Sequence, residues 1–322
     1  METQTYNNFF RDRTSLITGG AGFIGSSLAS KLISLGANVR VLDDFSTGHK
    51  SNVEQLDVEV FEGSILDETM LRTAVSGCDS VFHHAAMVSV PASVENPDRC
   101  FEINSHGTNI VLQQAVKLGV RRVMFAASSS AYGAHAALPS NETMTPDPAS
   151  PYAASKLAGE KAVHQCATTT NTDAVSLRYF NIFGPKQDPH SQYAAVVAAF
   201  MQALFNKQNP QIYGDGSQTR DFTYIDNAVH ANLLAASNEA SLGGEVFNIG
   251  TGSSYSLLEM LESMTKVLGI QPTIDFHPMR EGDVPHSRAD ISKAAESFGY
   301  EPVVSFNEGI SRLFTGLAGL PA

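Results

Sequence analysis

The stretch TSLITGGAGFIGSSLASKLISLGANVRVLDD, residues 14–44, carries the strongest indication of the fold. Its apolar runs TSLIT and NVRVL predict two β-strands, and the leucines of SSLASKLISLG recur at helical spacing between them. Gly36, after the last of these leucines, is a typical signal for the end of a helix. Three further glycines stand three residues apart where the first strand turns into the helix: Gly19, Gly22 and Gly25. The stretch therefore predicts a strand–glycine loop–helix–strand unit, which is typical of parallel sheets.

The glycine loop of this unit fits a bound pyrophosphate. In such loops the first glycine permits a tight turn, the second lets the backbone approach the phosphates, and the third allows close packing of helix on strand. The first turn of the following helix offers free N–H groups and the positive end of the helix dipole. Asp43 ends the second strand, where a carboxylate can bind both ribose hydroxyls and would repel a 2′-phosphate. This predicts a dinucleotide site that prefers NAD to NADP, with a purely structural loop as the alternative.

The rest of the chain continues the alternation of strands and helices. Strands are expected at 58–61, 80–86, 121–128 and 173–180, and helices at 97–118 and 151–167. This pattern predicts an α/β fold, a Rossmann-type doubly wound parallel sheet with a smaller C-terminal α/β substrate-binding lobe. Past NIFGP the alternation becomes irregular and turn residues multiply. We expect residues 1–180 to bind the cofactor and residues 181–322 to form mainly the second lobe, with an approximate boundary and room for the lobes to interleave.

The composition argues against several classes of function. The 322 residues are 43% hydrophobic and carry a net charge of −12, which disfavours binding to nucleic acid or to anionic membranes. No apolar run reaches the ~18 residues of a membrane span, and the polar N-terminus does not resemble a signal peptide, so a soluble, cytoplasmic protein is expected. Cys78, Cys100 and Cys166 lack metal-ligand spacing and are expected to be buried free thiols. His83 and His84 are adjacent in a strand and would point to opposite faces, so no metal site is expected.

Two further motifs carry chemistry. YAASK places Tyr152 and Lys156 at i and i+4, on one face of a helix. A free phenol has a pKa of about 10, and a nearby ammonium group would stabilise the phenolate and make the tyrosine a usable base. The three serines of AASSSAYG (126–133) follow an apolar strand. They either solvate the end of that strand or present hydroxyl groups at the sheet edge where α/β proteins bind their ligands.

Together, TGGAGFIG, AASSSAYG and YAASK resemble the extended short-chain dehydrogenase/reductase superfamily, and within it the NAD-dependent epimerases and dehydratases of nucleotide sugars. The resemblance spans nearly the whole chain and implies a catalytic triad of Ser128, Tyr152 and Lys156. Ser129 and Ser130 stand where the 4,6-dehydratases of the family carry an Asp-Glu pair that eliminates water. The resemblance therefore implies a reaction at the 4-hydroxyl alone, the NAD-dependent C4 epimerisation of a UDP-hexose.

The same resemblance implies two sets of ligand contacts. Beyond the three loop glycines, Tyr152 and Lys156, the NAD contacts are Phe23, Ile24, Asp43, Asp44, Ser46, Thr47, Gly48, Ser64, Ile65, Ala85, Ala86, Asn104 and Tyr179. The UDP-sugar contacts are Ser89, Ser128, Ser129, Ser130, Asn181, Tyr213, Arg220, Arg280, Asp283 and Ser287, with the two arginines on the diphosphate. One departure is GSI at 63–65, where the family usually has Gly-Asp-Ile beside the adenine. Ser64 can still accept a hydrogen bond there.

Ser287 bears on the choice of sugar. In related epimerases a bulky tyrosine at this position excludes an N-acetyl group at C2, whereas a small residue admits it. The resemblance thus implies UDP-N-acetylglucosamine and UDP-N-acetylgalactosamine as substrates, with UDP-glucose and UDP-galactose also admitted. It further implies a homodimer formed through the helices near 97–118 and 151–167. The open alternatives are a UDP-glucuronate 4-epimerase or decarboxylase, a net sugar reductase, and a non-catalytic NAD-sensing protein.

Overall fold

The structure, a computed structural model, describes Tyr6 and residues 8–134, 136–187, 196–279 and 284–317. Its strands are β1 (Thr14–Thr18), β2 (Asn38–Asp43), β3 (Val58–Glu62), β4 (Ser80–His83), β5 (Arg122–Ser128), β6 (Asp173–Tyr179), β7 (Ile182–Phe183), β8 (Gln211–Tyr213), β9 (Thr219–Arg220), β10 (Thr223–Tyr224), β11 (Val246–Ile249), β12 (Tyr255–Ser256) and β13 (Asp275–His277). Its helices are α1 (Phe23–Ser34), α2 (Glu68–Val75), α3 (Val90–Glu95), α4 (Pro97–Phe101), α5 (Thr108–Lys117), α6 (Pro151–Thr169), α7 (Val196–Phe205), α8 (Ile225–Ser237), α9 (Leu257–Leu268), α10 (Ser292–Phe298) and α11 (Phe306–Leu317).

The central sheet confirms the predicted doubly wound α/β fold. Within the described residues, seven parallel strands pair in the order β3-β2-β1-β4-β5-β6-β11. The order reverses between β1 and β4, and in such a sheet this reversal opens a binding crevice at the carboxyl ends of the strands. Thr18 at the end of β1 lies beside both Leu42 and His83. The glycine loop, Asp43 and the serine run therefore all leave the sheet at the same edge.

Helices cover both faces of this sheet. On one face α1 and α8 pack against each other and against β1, β4, β5 and β6. On the other face lie α2, α5 and α6. Because both faces are covered, β5 and β6 are almost continuously buried and show no apolar–polar alternation. The edge of the sheet, rather than either face, is left for binding.

Some elements that follow residue 180 form part of the first lobe. Among the described residues the second lobe holds three short ladders, β7 with β10, β8 with β13, and β9 with β12. In addition, β11 pairs with β6 in the central sheet, and α8 covers that sheet, although both elements follow residue 180 in the chain. The lobes therefore interleave. The division into residues 1–180 and 181–322 stays a prediction.

The helix predicted at 97–118 is interrupted in the structure. A π-helical turn, Glu102–Gly107, separates α4 from α5. A turn of this kind is rare and is found most often at functional sites. It cannot be recognised from periodicity, because the helix continues on both sides of it. The strand predicted at 80–86 is also shorter, since β4 ends at His83 and the chain then leaves the sheet as a loop.

Two smaller expectations concern cysteines and membrane segments. The three cysteines are buried and unpaired, which confirms the prediction of free thiols. Of the helices that the structure describes, none has the length and apolar character needed to cross a membrane.

Candidate active site

The glycine loop is shaped by contacts that exclude larger side chains. Gly19 adopts a left-handed backbone with φ of +70°, and a Cβ on it would lie 2.6 Å from the backbone nitrogen of Ala85. A Cβ on Gly25 would lie 2.3 Å from the Gly19 carbonyl oxygen, so the third glycine permits the close packing of α1 on the loop. Both features were predicted from the spacing.

Gly22 differs from its two neighbours in the motif. A Cβ on Gly22 would come within 4 Å of one non-adjacent atom of the described residues, the Gly19 carbonyl oxygen at 3.2 Å. Gly22 is also the N-cap of α1, and within the described part of the chain no side chain caps that helix. The amides of the first turn, which begins with Phe23 and Ile24, are left for another acceptor. Open space beside an uncapped helix N-terminus is what a pyrophosphate requires.

Asp43 connects the end of β2 to the glycine loop. Its carboxylate accepts hydrogen bonds from the backbone N–H of Ala21 at 2.8 Å and of Phe45 at 2.9 Å. Burial raises the pKa of this carboxyl group, and the two N–H donors act in the opposite direction. A Cβ on Gly48 would lie 2.9 Å from Asp43 Oδ1, so a glycine is needed there. Each carboxylate oxygen keeps a second lone pair that can accept a ribose hydroxyl.

The other predicted cofactor residues lie around the same edge. Ser46 donates to Asp44 Oδ1 through its hydroxyl at 2.6 Å and its backbone N–H at 3.0 Å, which shapes the turn that holds Thr47 and Gly48. Ser64 accepts a hydrogen bond from the backbone N–H of Leu66, while Ile65 is buried. Ala85 and Ala86 directly follow β4, and Ala85 N–H donates to Thr18 Oγ1 at 3.3 Å. Their contacts with NAD stay predictions.

The structure brings Ser128, Tyr152 and Lys156 together. Ser128 is the last residue of β5, and its hydroxyl is near enough to Tyr152 to lower the pKa of that phenol. Tyr152 lies in the first turn of α6, which begins with Ser150 as N-cap and Pro151 as its first residue. Lys156 is buried one turn further along, and its Nζ donates to the Ala126 carbonyl oxygen at 2.8 Å.

Burial acts on both ionisable members of this group. It raises the pKa of the Tyr152 phenol, whereas the hydrogen bond with Ser128 lowers it. Burial also lowers the pKa of Lys156 to about 8, against the opposing effect of Cys100 and Glu160. Burial alone therefore favours a neutral phenol. Additional positive charge beside the hydroxyl is needed to make Tyr152 a base near neutral pH, and the oxidised nicotinamide ring carries such a charge.

Two predicted cofactor residues, Asn104 and Tyr179, use their polar side-chain atoms in hydrogen bonds to other parts of the protein. Asn104, in the π-helical turn, accepts from Met87 N–H at 2.7 Å and donates to the Met87 carbonyl oxygen at 3.0 Å. It thus holds the loop that follows β4. The Tyr179 hydroxyl accepts from Asn232 Nδ2 at 2.7 Å and lies 3.2 Å from His84 Nε2. Any contact of these two residues with NAD would use other atoms, and it stays a prediction.

The adjacent histidines have internal partners. His83 lies between Thr18 Oγ1 at 2.7 Å and Thr108 Oγ1 at 2.9 Å, whereas the His84 ring stacks on Tyr179. Burial lowers the pKa of both rings, so both are neutral at pH 7. The structure thus gives both residues structural contacts, as the sequence predicts.

A cavity of about 860 Å³ lies in the second lobe, and three of the predicted substrate residues line it: Asn181, Tyr213 and Arg220. Ser287 lies beside them, since its hydroxyl donates to Asn181 Oδ1 at 3.5 Å. Ser89 is the N-cap of α3, where its hydroxyl accepts from Ala92 N–H. Arg280 and Asp283 lie outside the described residues.

Sequence reasoning missed several residues of this lobe. Lys207, Gln211 and Gln218 also line the cavity, and the signal for the first two was the polar KQNPQ turn (207–211) after an apolar helix. Asp221 was missed as well. It is fully buried and accepts from the backbone N–H of Thr251 at 2.8 Å and of Ala289 at 3.1 Å. Asp221 therefore ties the segment after Ser287 to the strand that carries Arg220.

The loop glycines give a matched pair of substitutions. We expect Gly22→Ala to raise the Kd of NAD about 10- to 100-fold with little change in thermal stability, because its Cβ would enter the open space and overpacking costs about 1–3 kcal/mol. Gly25→Ala should lower stability by a similar free energy even without NAD, since its Cβ meets backbone at 2.3 Å. Calorimetric titration of NAD-stripped protein and thermal unfolding measure the two effects. Unchanged NAD affinity in Gly22→Ala would contradict the assignment of the glycine loop as the pyrophosphate site.

Comparison with known proteins places this geometry in a family. The sequence model of the NAD dependent epimerase/dehydratase family matches residues 15–250. The UDP-glucose 4-epimerase of Mycolicibacterium smegmatis is 37% identical over 304 residues, which cover 92% of this chain and 96% of that protein. The UDP-N-acetyl-alpha-D-glucosaminuronate decarboxylase of Bacillus cytotoxicus is 33% identical over 315 residues, covering 92% and 94%. A solved structure, the UDP-N-acetylglucosamine 4-epimerase of Methanobrevibacter ruminantium in complex with UDP-N-acetylmuramic acid, superimposes with a TM-score of 0.91 at 33% identity, covering 96% of this chain and 99% of that one.

These similarities extend over nearly the whole chain. They confirm the predicted fold, the predicted enzyme class and the predicted dependence on NAD. The chain belongs to the NAD dependent epimerase/dehydratase family.

Proposed function

We propose that this protein interconverts the C4 epimers of UDP-hexoses, with UDP-N-acetylglucosamine and UDP-N-acetylgalactosamine as its main pair and UDP-glucose and UDP-galactose as further substrates. The observation that carries the proposal is the placement of Ser128 at the end of β5 against Tyr152 in the first turn of α6, with Lys156 one helical turn further along, at the carboxyl edge of the sheet. The relatives include 4-epimerases named for both types of sugar.

Each member of the triad has a role that follows from its chemistry. Tyr152 removes the proton of the 4-hydroxyl as a general base and returns it later as a general acid. Ser128 donates a hydrogen bond to the reacting oxygen, and Lys156 supplies positive charge next to the phenolate. The glycine loop and Asp43 would hold NAD, which would supply the hydride acceptor for C4 and the hydride donor for the return step. The 4-keto sugar presents its other face before the hydride returns, which inverts C4.

The residues after Ser128 support epimerisation over dehydration. Elimination of water across C5 and C6 requires an acid and a base beside those carbons. Ser129 and Ser130 occupy the two positions after Ser128 and supply hydroxyl groups, which neither lose nor gain a proton readily near neutral pH. A reaction confined to the 4-hydroxyl needs no further acid or base.

The second-lobe cavity supports a UDP-sugar as the substrate. Arg220 and Asn181 line it together, and a guanidinium group suits the paired oxygens of a diphosphate. The guanidinium group of Arg220 is held in place, because its Nη1 donates to the Thr219 carbonyl oxygen at 2.9 Å. Arg280 and Asp283 are proposed to add a second phosphate contact and a ribose contact.

The side chain at position 287 should set the tolerance for an N-acetyl group. Ser287 is half-buried beside Asn181, and its small side chain leaves room at the cavity. We expect Ser287→Tyr to lower kcat/KM for UDP-N-acetylglucosamine about 10- to 200-fold more than for UDP-glucose, as pocket contacts of this size allow. Ser287→Ala keeps the space and should keep the preference between the two sugars. Equal losses on both sugars in Ser287→Tyr would contradict the assignment.

One incubation tests the proposed reaction. Purified protein is mixed with UDP-N-acetylglucosamine in the absence of added NADH, and the sugar nucleotides are separated by chromatography. The proposal expects UDP-N-acetylgalactosamine, with no net consumption of NAD. A parallel incubation with UDP-glucuronate, followed for its C4 epimer and for release of CO₂, tests the alternative suggested by the decarboxylase relative. Turnover of UDP-glucuronate alone, or of no sugar, would overturn the proposal.

A homodimer is the remaining part of the proposal. The segment 97–118, one of the two expected to pair across a dimer, carries the exposed apolar side chain of Phe101 (40% exposed), and the preceding helix α3 carries that of Val94 (63% exposed). Such side chains on neighbouring helices support a surface that a second copy would cover. The dimer and the cytoplasmic location stay predictions.

A further inference from the structure

The Ser128 hydroxyl accepts two hydrogen bonds from Ser130. The backbone N–H of Ser130 lies 3.2 Å from Ser128 Oγ, and the Ser130 hydroxyl donates to the same oxygen at 2.9 Å. Both donors belong to a 3₁₀ turn, Ser129–Tyr132, that begins where β5 ends. One residue thus approaches the proposed catalytic hydroxyl with two donors at once.

This arrangement leaves the Ser128 hydroxyl able to act toward other groups only as a hydrogen-bond donor. A hydroxyl oxygen has one proton to donate and two lone pairs that accept. When Ser130 occupies both lone pairs, the hydroxyl can act further only as a donor. Tyr152 is the group that this proton can serve, because α6 packs its first turn against the end of β5 and the Ser128 hydroxyl lowers the pKa of the Tyr152 phenol. The donors therefore run in one direction, from Ser130 to Ser128 and from Ser128 to Tyr152.

We propose that Ser130 is a positioning residue that keeps the Ser128 O–H directed at the Tyr152 oxygen and, during turnover, at the 4-oxygen of the sugar. The second part rests on the proposed function. A hydroxyl without such partners rotates among three staggered positions and can accept as well as donate. Directed at Tyr152, its proton stabilises the phenolate and opposes the effect of burial.

The turn that carries Ser130 is anchored on two sides. Asp147 N–H donates to the Ala131 carbonyl oxygen at 2.9 Å, and the Tyr132 hydroxyl donates to Asn248 Oδ1 at 2.7 Å. Gly133 ends the turn with φ of +76°, and a Cβ on it would lie 2.3 Å from the Asp147 carbonyl oxygen. A turn so restrained keeps Ser130 at a constant distance from Ser128.

Other titratable groups near Tyr152 must be kept constant in any test. They are Lys156 and Glu160 on α6, Cys100 on α4, and His83 and His84 at the end of β4. A substitution at position 130 changes none of their side chains. A change in the ionisation of Tyr152 then reports on the hydroxyls alone.

The first experiment uses no sugar, so it does not depend on which substrate is turned over. The NAD-bound protein is titrated with base, and the phenolate absorbance of Tyr152 is obtained by subtracting the titration of Tyr152→Phe. We expect Ser130→Ala to raise the half-point by about 0.5–1 pH unit, the effect of losing one hydrogen bond. Ser130→Thr keeps a hydroxyl and should restore the half-point of the unsubstituted protein. Ser129→Ala removes the neighbouring hydroxyl and should leave the half-point unchanged.

The second experiment separates a role through Ser128 from a direct role. Ser130→Ala should lower kcat about three- to tenfold below the half-point, with KM nearly unchanged, and should shift the acidic limb of the rate profile upwards. In a Ser128→Ala background the same substitution should have no further effect on kcat or on the titration.

Two results would overturn the inference. One is an unchanged Tyr152 half-point in Ser130→Ala; the other is an effect of Ser130→Ala that persists in full in the Ser128→Ala background. The second would mean that Ser130 acts on the sugar or on the shape of the pocket. Failure to epimerise any UDP-sugar would instead overturn the proposed function, and the titration would still decide the role of Ser130.

Discussion

Replacement of Tyr152 by phenylalanine is expected to lower kcat for C4 epimerisation about 10²- to 10⁴-fold, the usual contribution of a general acid–base group. The phenol is the proposed general base, and its removal leaves the triad with a serine hydroxyl and a lysine ammonium group, neither of which readily takes up a proton. The rate is measured by chromatographic separation of the two epimers at saturating UDP-sugar. NAD affinity and thermal stability should change little, since the ring is retained.

Tyr6→Phe is a suitable control for this experiment. The Tyr6 hydroxyl lies 3.1 Å from His230 Nδ1, in contact with α8 and not with the triad. Its loss removes one partly buried hydrogen bond, worth about 0.5–1.5 kcal/mol of stability, and should leave kcat unchanged. A Tyr152→Phe protein with full activity would refute the proposed mechanism, whatever its substrate.

Replacement of Arg178 by methionine is expected to lower the free energy of unfolding by about 3–5 kcal/mol. Arg178 and Glu160 form a two-point ion pair, Nε to Oε1 and Nη2 to Oε2, each at 2.7 Å. Both side chains are 4% exposed, so Glu160 would keep a buried and unpaired charge. Urea unfolding of the NAD-stripped protein measures the loss.

The double variant Arg178→Met/Glu160→Met distinguishes the pair from simple loss of packing. Removing both charges leaves no unpaired group, so most of the lost stability should return. The exposed pair of Arg312 and Asp226 provides the control, since Arg312→Met should cost less than about 1 kcal/mol. A double variant that is as unstable as Arg178→Met would show that the volume of the arginine, not the charge, matters.

The ion pair also bears on the triad. Glu160 follows Lys156 by one helical turn, and its negative charge raises the pKa of Lys156 against the effect of burial. The bidentate contact with Arg178 fixes the position of that carboxylate. The charged pair in the core beneath the active site thus contributes to the electrostatic environment of Lys156.

Much of the fold could be predicted because its signals are local. The glycine spacing, the apolar runs and the helical repeat of leucines each depend on a few consecutive residues, and they correctly indicated β1, α1 and β2. The i and i+4 spacing of Tyr152 and Lys156 is likewise a property of one helix. Their proximity to Ser128 was implied by the family resemblance and not by local spacing, because Tyr152 and Lys156 lie on a helix and Ser128 ends a strand.

The parts that could not be predicted depend on contacts between distant segments. Asn104 bonds to Met87 across a π-helical turn, and no repeat in the sequence marks that turn. Asp221 bonds to Thr251 and Ala289, which lie 30 and 68 residues further along the chain. Lys207 lines the cavity from a polar turn whose composition resembles many surface turns. In each case the role of the residue depends on groups that are distant from it in the sequence.

The serine run illustrates the difference between what local sequence determines and what contacts in the folded chain decide. From sequence alone, the glycine loop and the helical tyrosine–lysine pair establish an NAD-binding α/β chain with Ser128 at the edge of its sheet, because backbone geometry and local spacing suffice for that. The direction in which the Ser128 proton points depends on the second lone pair of one oxygen, which the Ser130 hydroxyl occupies at 2.9 Å. Hydrogen bonds change sharply with distances of a few tenths of an ångström, and only the folded chain sets distances on that scale.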